Sequence, residues 1–215
     1  MRAMDFLASD HLGAVGRRII PAERDGRAVS RLTATRTFPA PAAEVWDALT
    51  DPGRIARWLM PVTGDLRLGG RYQLEGNAGG EVLACDEPRH LALTWEYDGH
   101  VSWVDVELTD VGAGTLLTLD HDDPSTPEHG ARFGPGAVGI GWELSLLGLG
   151  AQLVGEPDLS PDEKTALMAD PEMLVLITGS NAAWVDAAIL GGEDPGQAHA
   201  AGRRCLAAYA GAPEA

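Results

Sequence analysis

Between Arg31 and Trp58 the chain reads RLTATRTFPAPAAEVWDALTDPGRIARW. Here an alternating strand runs directly into two short helices opened by Pro41 and Pro52, before any further strand. Leu32, Ala34, Arg36 and Phe38 alternate with Thr33, Thr35 and Thr37, and Pro39 ends the strand. The first helix, 41–50, carries Val45, Trp46 and Leu49 on one stripe. The second starts from an Asp51 cap with Pro52 at its first position and carries Ile55, Trp58 and Leu59. Helices this short do not stand alone in water, so both must dock on a sheet. They form a two-helix gate and are the elements best placed to move.

The surrounding residues supply the sheet. Val15 to Phe38 reads as two strands turning at Asp25-Gly26. Beyond the gate, glycines at 64, 69, 70, 76, 79 and 80 separate strands predicted over 65–75, 81–86, 90–98, 102–109 and 115–121. Such closely spaced turns favour an antiparallel meander. Alternation places Leu91, Leu93, Trp95 and Tyr97 on one face with Val104, Val106 and Leu108, and with Thr115, Leu117, Leu119 and His121. Trp103 then faces outward with Asp105, Glu107, Thr118 and Asp120, beneath a terminal segment or at an interface.

Gly136 to Gly155 has helical length and one formal charge, Glu143. A membrane span is disfavoured by its six glycines and by the acidic residues Glu156 and Asp158 after it, without Lys or Arg beside it. A helix apolar all round is buried all round, here by the sheet on one side and by tail helices on the other. The tail is well marked: Ser160-Pro161-Asp162-Glu163 is a capping box, Asp170-Pro171 and Asp194-Pro195 open further helices, and Gly191-Gly192 separates the last two. Met173, Ile177, Trp184 and Ala188 form one buried stripe, and Ala198, Ala201, Cys205 and Tyr209 another. The expected organisation is one domain over 1–155 with an extra N-terminal hairpin strand, and a helical extension over 156–215 packed on it.

Composition narrows the function. Lys and Arg number 16 against 32 acids, a net charge of −16, while residues 1–36 hold seven Arg and four acids. Phosphate binding needs a basic face, so nucleic acid is excluded as a partner. Cys85 and Cys205 have neither disulfide nor metal spacing and are expected reduced and at least partly buried. The N-terminus lacks an unbroken apolar signal segment, and the expected location is the cytoplasm.

The stretches TFPAPAAEVWDALTDPGRIARWLMP (37–61), GDLRLGGRY (64–72), EPRHLALTWEY (87–97) and VDVELTDVGAGTLLTLDHD (104–122), with the Gly141-Trp142 helix, follow one another in a distinctive order. In that order the chain resembles the SRPBCC superfamily, also called START-like or Bet v 1-like. Within it, the chain is similar to bacterial proteins resembling the C-terminal domain of the activator of Hsp90 ATPase. The resemblance covers about residues 27–155. It implies an α+β helix-grip fold, an antiparallel sheet around a long C-terminal helix with a hydrophobic cavity between them. It carries no universal catalytic set.

The candidate ligand-binding residues are Trp58 and Met60 at the gate, Tyr72, Trp95 and His121 from the sheet, Phe133 before the long helix, and Trp142 and Glu143 on it. A ligand burying about 250 Å² of apolar surface gains about 6 kcal/mol before association costs. Glu143 and His121 are also the weak catalytic candidates, as an acid/base pair of the kind a cyclase or dehydratase needs. The alternative places Glu143 at the pocket mouth or against Arg132. His121, Asp122, Asp123 and His129 imitate a metal cluster, but a Pro-rich acidic loop separates the histidines, so a solvated loop is the better reading and no metal or cofactor is expected. Together these residues favour a cytoplasmic binding module for a small hydrophobic molecule over an enzyme. The rival readings are a cofactor-independent cyclase or dehydratase of the aromatic-polyketide type and a protein-interaction or chaperone-linked role, with a second copy of the chain as a further candidate partner.

Overall fold

The computed structural model describes residues 8–124, 133–134 and 136–209. Eight strands form one antiparallel sheet: β1 (Val15–Arg24), β2 (Arg27–Phe38), β3 (Val62–Gly64), β4 (Arg71–Leu74), β5 (Gly79–Asp86), β6 (His90–Tyr97), β7 (His100–Asp110) and β8 (Thr115–Asp123), in the order β1-β2-β8-β7-β6-β5-β4-β3. The described helices are α1 (Ala8–Ala14), α2 (Ala42–Thr50), α3 (Pro52–Trp58), α4 (Gly136–Leu153), α5 (Pro161–Met168), α6 (Pro171–Leu190) and α7 (Pro195–Tyr209). This is the α+β helix-grip order of elements. The strand interrupted by two helices stands as read: Asp51 caps α3 by accepting from the Arg54 amide at 2.8 Å.

Local chemistry sets the turns. Asp25 and Gly26 both have positive φ, as do Asp98 and Gly99, the two-residue geometry that matches the twist of a hairpin. Of the strand expected over 65–75 only β4 forms; residues 65–70 are the turn that joins it to β3. Arg67 donates from Nε and Nη2 to both carboxylate oxygens of Asp65, at 2.8 Å each, and Gly69 has φ +76°, so the chain folds back before it can pair. Helix α1 was not expected; seven residues are too few for a periodic signal.

The chain divides into two compact units, one of residues 1–34, 125–144 and 157–215, the other of 35–124 and 145–156. The tail therefore groups with the N-terminal hairpin and the first half of α4. In this unit α6 packs on β1, α1 and α7. Its Trp184 lies against α4, where a Cβ on Gly139 would come within 2.4 Å of the indole. Ala8, Ile19, Leu32, Ile140, Met173, Leu176 and Trp184 are buried there. Among the described residues, α6 is the one helix long and apolar enough to cross a membrane, and half of it is buried inside the protein.

In the other unit the second half of α4 is gripped. Arg36 of β2 donates from Nη1 to the Leu146 carbonyl at 2.9 Å, and Gly148 lies against the Trp58 carbonyl, where a Cβ would stand 2.6 Å away. Phe38, Trp46, Val104, Leu108, Leu117, Leu119, Leu146 and Leu149 are buried in this unit. The inward face assigned from alternation holds for Val104, Val106, Leu108, Thr115, Leu117, Leu119 and His121, all buried. Tyr97 is the exception, exposed at the end of β6. Trp103 is half-buried on the other face. Cys205 is buried but Cys85 is exposed, contrary to expectation: it sits near the end of β5, two residues before the Glu87-Pro88 turn.

Candidate functional site

The gate and the far edge of the sheet form one apolar cluster. Ile55 of α3, Tyr72 and Leu74 of β4 are buried, and Leu59, Met60, Val62, Leu66, Leu93 and Trp95 pack against them while only partly buried. Alternation brings Tyr72 and Leu74 to one side of β4, and docking of α3 brings Ile55 to meet them. The Tyr72 hydroxyl donates to the Thr94 carbonyl at 2.8 Å, and burial raises its pKa, so it is neutral and presents its ring to the cluster. Three of the expected residues, Met60, Tyr72 and Trp95, thus come together from elements that are far apart in the chain.

His121 joins them through Trp95, with ring centroids 6.4 Å apart and planes at 58°. Ser102 donates its hydroxyl to the Trp95 carbonyl at 3.1 Å, so its oxygen accepts from His121 Nε2–H at 2.8 Å. Burial pushes the His121 pKa down to about 4, against the opposing pull of Asp123 and Asp122. The imidazole is therefore neutral at pH 7, with Nε2 as a donor. Alternation put Ser102 on the inward stripe two residues before Val104, a signal that the sequence reading passed over.

Trp58 is fastened, its Nε1 donating to the Ala48 carbonyl at 2.9 Å. Arg54 ties the gate further: it bonds Asp47 Oδ2 at 2.7 Å, the Glu44 carbonyl at 3.3 Å, and Gln152 of α4 at 2.9 Å. The helices expected to move most freely are thus bonded to each other and to α4. Arg36, on the inward stripe of β2, has its guanidinium 5.1 Å over the Phe38 ring, and burial lowers its pKa.

The remaining candidates belong to the other unit. Glu143 is 1% exposed and does not stand at a pocket mouth. Arg17 of β1 donates from Nε and Nη2 to its two oxygens at 2.6 Å each, and from Nη1 to the Leu12 and Val15 carbonyls. Both carboxylate oxygens are occupied by a bidentate guanidinium. This corrects the proton-donor reading of Glu143; its other expected partner, Arg132, lies outside the described residues. Trp142 is buried on α4. Phe133 lines a separate small cleft with α6 and α7.

The acidic run after β8 is also altered. His121 and Asp122 are buried within the strand, while His129 lies outside the described residues. His100 Nε2 meets Asp123 Oδ1 at 2.8 Å and His90 Nε2 meets Asp105 Oδ1 at 3.3 Å, cross-strand pairs at the sheet surface. Among the described residues no group of three His, Cys, Asp or Glu side chains could hold a metal ion.

Residues 39–153 match the family described as Activator of Hsp90 ATPase homolog 1-like protein. Among solved structures the chain is similar to CalU16 from Micromonospora echinospora, at 34% identity over 81% of this chain and 98% of that one, with a TM-score of 0.67. MLL2253 from Mesorhizobium loti is 26% identical over 60% of this chain and 99% of that one, with a TM-score of 0.53. DynU16, a protein in the dynemicin biosynthetic locus, is 25% identical over 58% of this chain and 47% of that one, with a TM-score of 0.51. No curated protein matches. The likeness to CalU16 extends well past the 39–153 family stretch, so it takes in part of the terminal elements as well.

Proposed function

Because the chain belongs to the Activator of Hsp90 ATPase homolog 1-like family, an SRPBCC-type fold, we propose that it binds a small hydrophobic molecule on the gate-side cluster. One observation carries this reading: Leu59, Met60, Val62, Leu66, Leu93 and Trp95 surround a buried nucleus yet stay partly exposed. The apolar surface they keep accessible is what an apolar ligand would cover on binding. His121 and Ser102 set a neutral, internally bonded polar floor beside Trp95, which suits an uncharged ligand. The similarity to DynU16 supports a ligand drawn from small-molecule metabolism.

The cyclase reading loses one of its two groups, because Arg17 occupies Glu143. Native mass spectrometry of the purified chain is expected to show a retained apolar molecule, or saturable uptake of the probe N-phenyl-1-naphthylamine. Trp95→Ala should weaken probe binding at least tenfold. Equal binding by Trp95→Ala, or none by the wild type, would remove this proposal.

A further inference from the structure

A small cleft lies between α6, α7, Phe133 and the start of α4, within the unit formed by the N-terminal hairpin and tail. Its volume is about 10 Å³, the room for one water or one ammonium group, and it is partly open to solvent. Val185, Ala188, Ala198 and Ala201 give it apolar walls, and among the described residues no Lys, Arg or His lines it. Into these walls are set two oxygen acceptors. Asn181 is 6% exposed, and its Oδ1 is buried without a hydrogen-bond partner among the described residues. Leaving such an acceptor unmet costs about 1–3 kcal/mol, so it is an address for a donor.

Glu193 is the second acceptor, half-buried in the lining and without a cationic partner among the described residues. Desolvation, and then the neighbouring Asp194, raise its carboxyl above the ordinary range, as expected of an acid awaiting a counter-charge. Trp184 also lines the cleft, and its Nε1, a buried donor without a hydrogen-bond partner among the described residues, lies beside Gly139, where a Cβ would stand 2.6 Å away. Gly202 lets α7 approach: a Cβ there would lie 2.6 Å from Val185 and 3.2 Å from the Asn181 amide nitrogen.

We propose that this cleft binds the ammonium head of a small primary amine, which donates to Asn181 Oδ1 and to the Glu193 carboxylate. An ammonium carries three donors and a charge opposite to Glu193, and the net charge of −16 favours its approach. The cleft holds the ammonium head alone, and the alkyl part extends from its open side into solvent. This site shares no residue with the gate-side cluster, so it stands or falls independently of the apolar ligand proposed there.

The test is titration of the full chain with n-butylammonium chloride, with n-butanol as the uncharged control, followed by nitrogen-15 NMR. Saturable shifts of the Asn181 side-chain amide and the Gly202 backbone amide are expected with the ammonium alone. Glu193→Gln, at a half-buried position that tolerates the change, should weaken the affinity at least tenfold. Absence of saturable shifts, equal shifts with butanol, or unchanged affinity in Glu193→Gln each overturns the proposal.

Discussion

Arg17 and Glu143 stand 126 positions apart and form a buried bidentate pair. Breaking a buried pair leaves one charge unmet, so Glu143→Gln is expected to cost about 3–5 kcal/mol of stability, read from urea unfolding. The double variant Arg17→Met/Glu143→Leu should regain most of that loss, because it buries no lone charge; a double variant as unstable as the single one would show that the pair itself is stabilising. His121 gives a pH signature. Its folded pKa is near 4 and its unfolded value near 6.5, so the unfolded chain binds the proton first as pH falls. Its contribution is complete above pH 6.5 and is lost progressively as the pH drops from 6.5 to 4, by about 3 kcal/mol. A His121→Gln variant is expected to flatten that slope, checked by unfolding at stepped pH.

At the scale of elements, the glycines of α4 are not equivalent. Gly148 lets α3 approach, whereas among the described residues a Cβ on Gly141 would meet only the Tyr209 hydroxyl, at 3.9 Å. Replacing Gly by Ala in a helix gains up to about 1 kcal/mol from propensity alone. Gly141→Ala should realise that gain. In Gly148→Ala the clash with the Trp58 backbone costs about 1–3 kcal/mol and outweighs it, displacing the gate. Thermal melts of the two variants should therefore shift in opposite directions, and equal shifts would show that the gate yields without cost. The gate was legible in the sequence because its proline and aspartate caps act locally. Its fastening was not, since Arg54 reaches Gln152 across 98 positions.

At the scale of the molecule, the tail helices are part of a shared core. A Cβ on Gly191 would stand 2.3 Å from the Ile19 carbonyl, and one on Gly179 would stand 2.5 Å from Leu12. A chain ending at residue 156 is accordingly expected to lose its cooperative melt and to bind anilinonaphthalene sulfonate, because α1, β1 and the first half of α4 lose their cover. A sharp melt in the shortened chain would show that the tail is only an appendage. Strands, caps, hairpin turns and buried stripes followed from periodicity and backbone chemistry that neighbouring residues settle among themselves. The tertiary structure alone decided that Arg17 takes Glu143, that Ser102 receives His121, and that the tail groups with the N-terminal hairpin. Those pairings depend on which side chains meet after long loops close, and a one-dimensional pattern holds no information on distance across the fold.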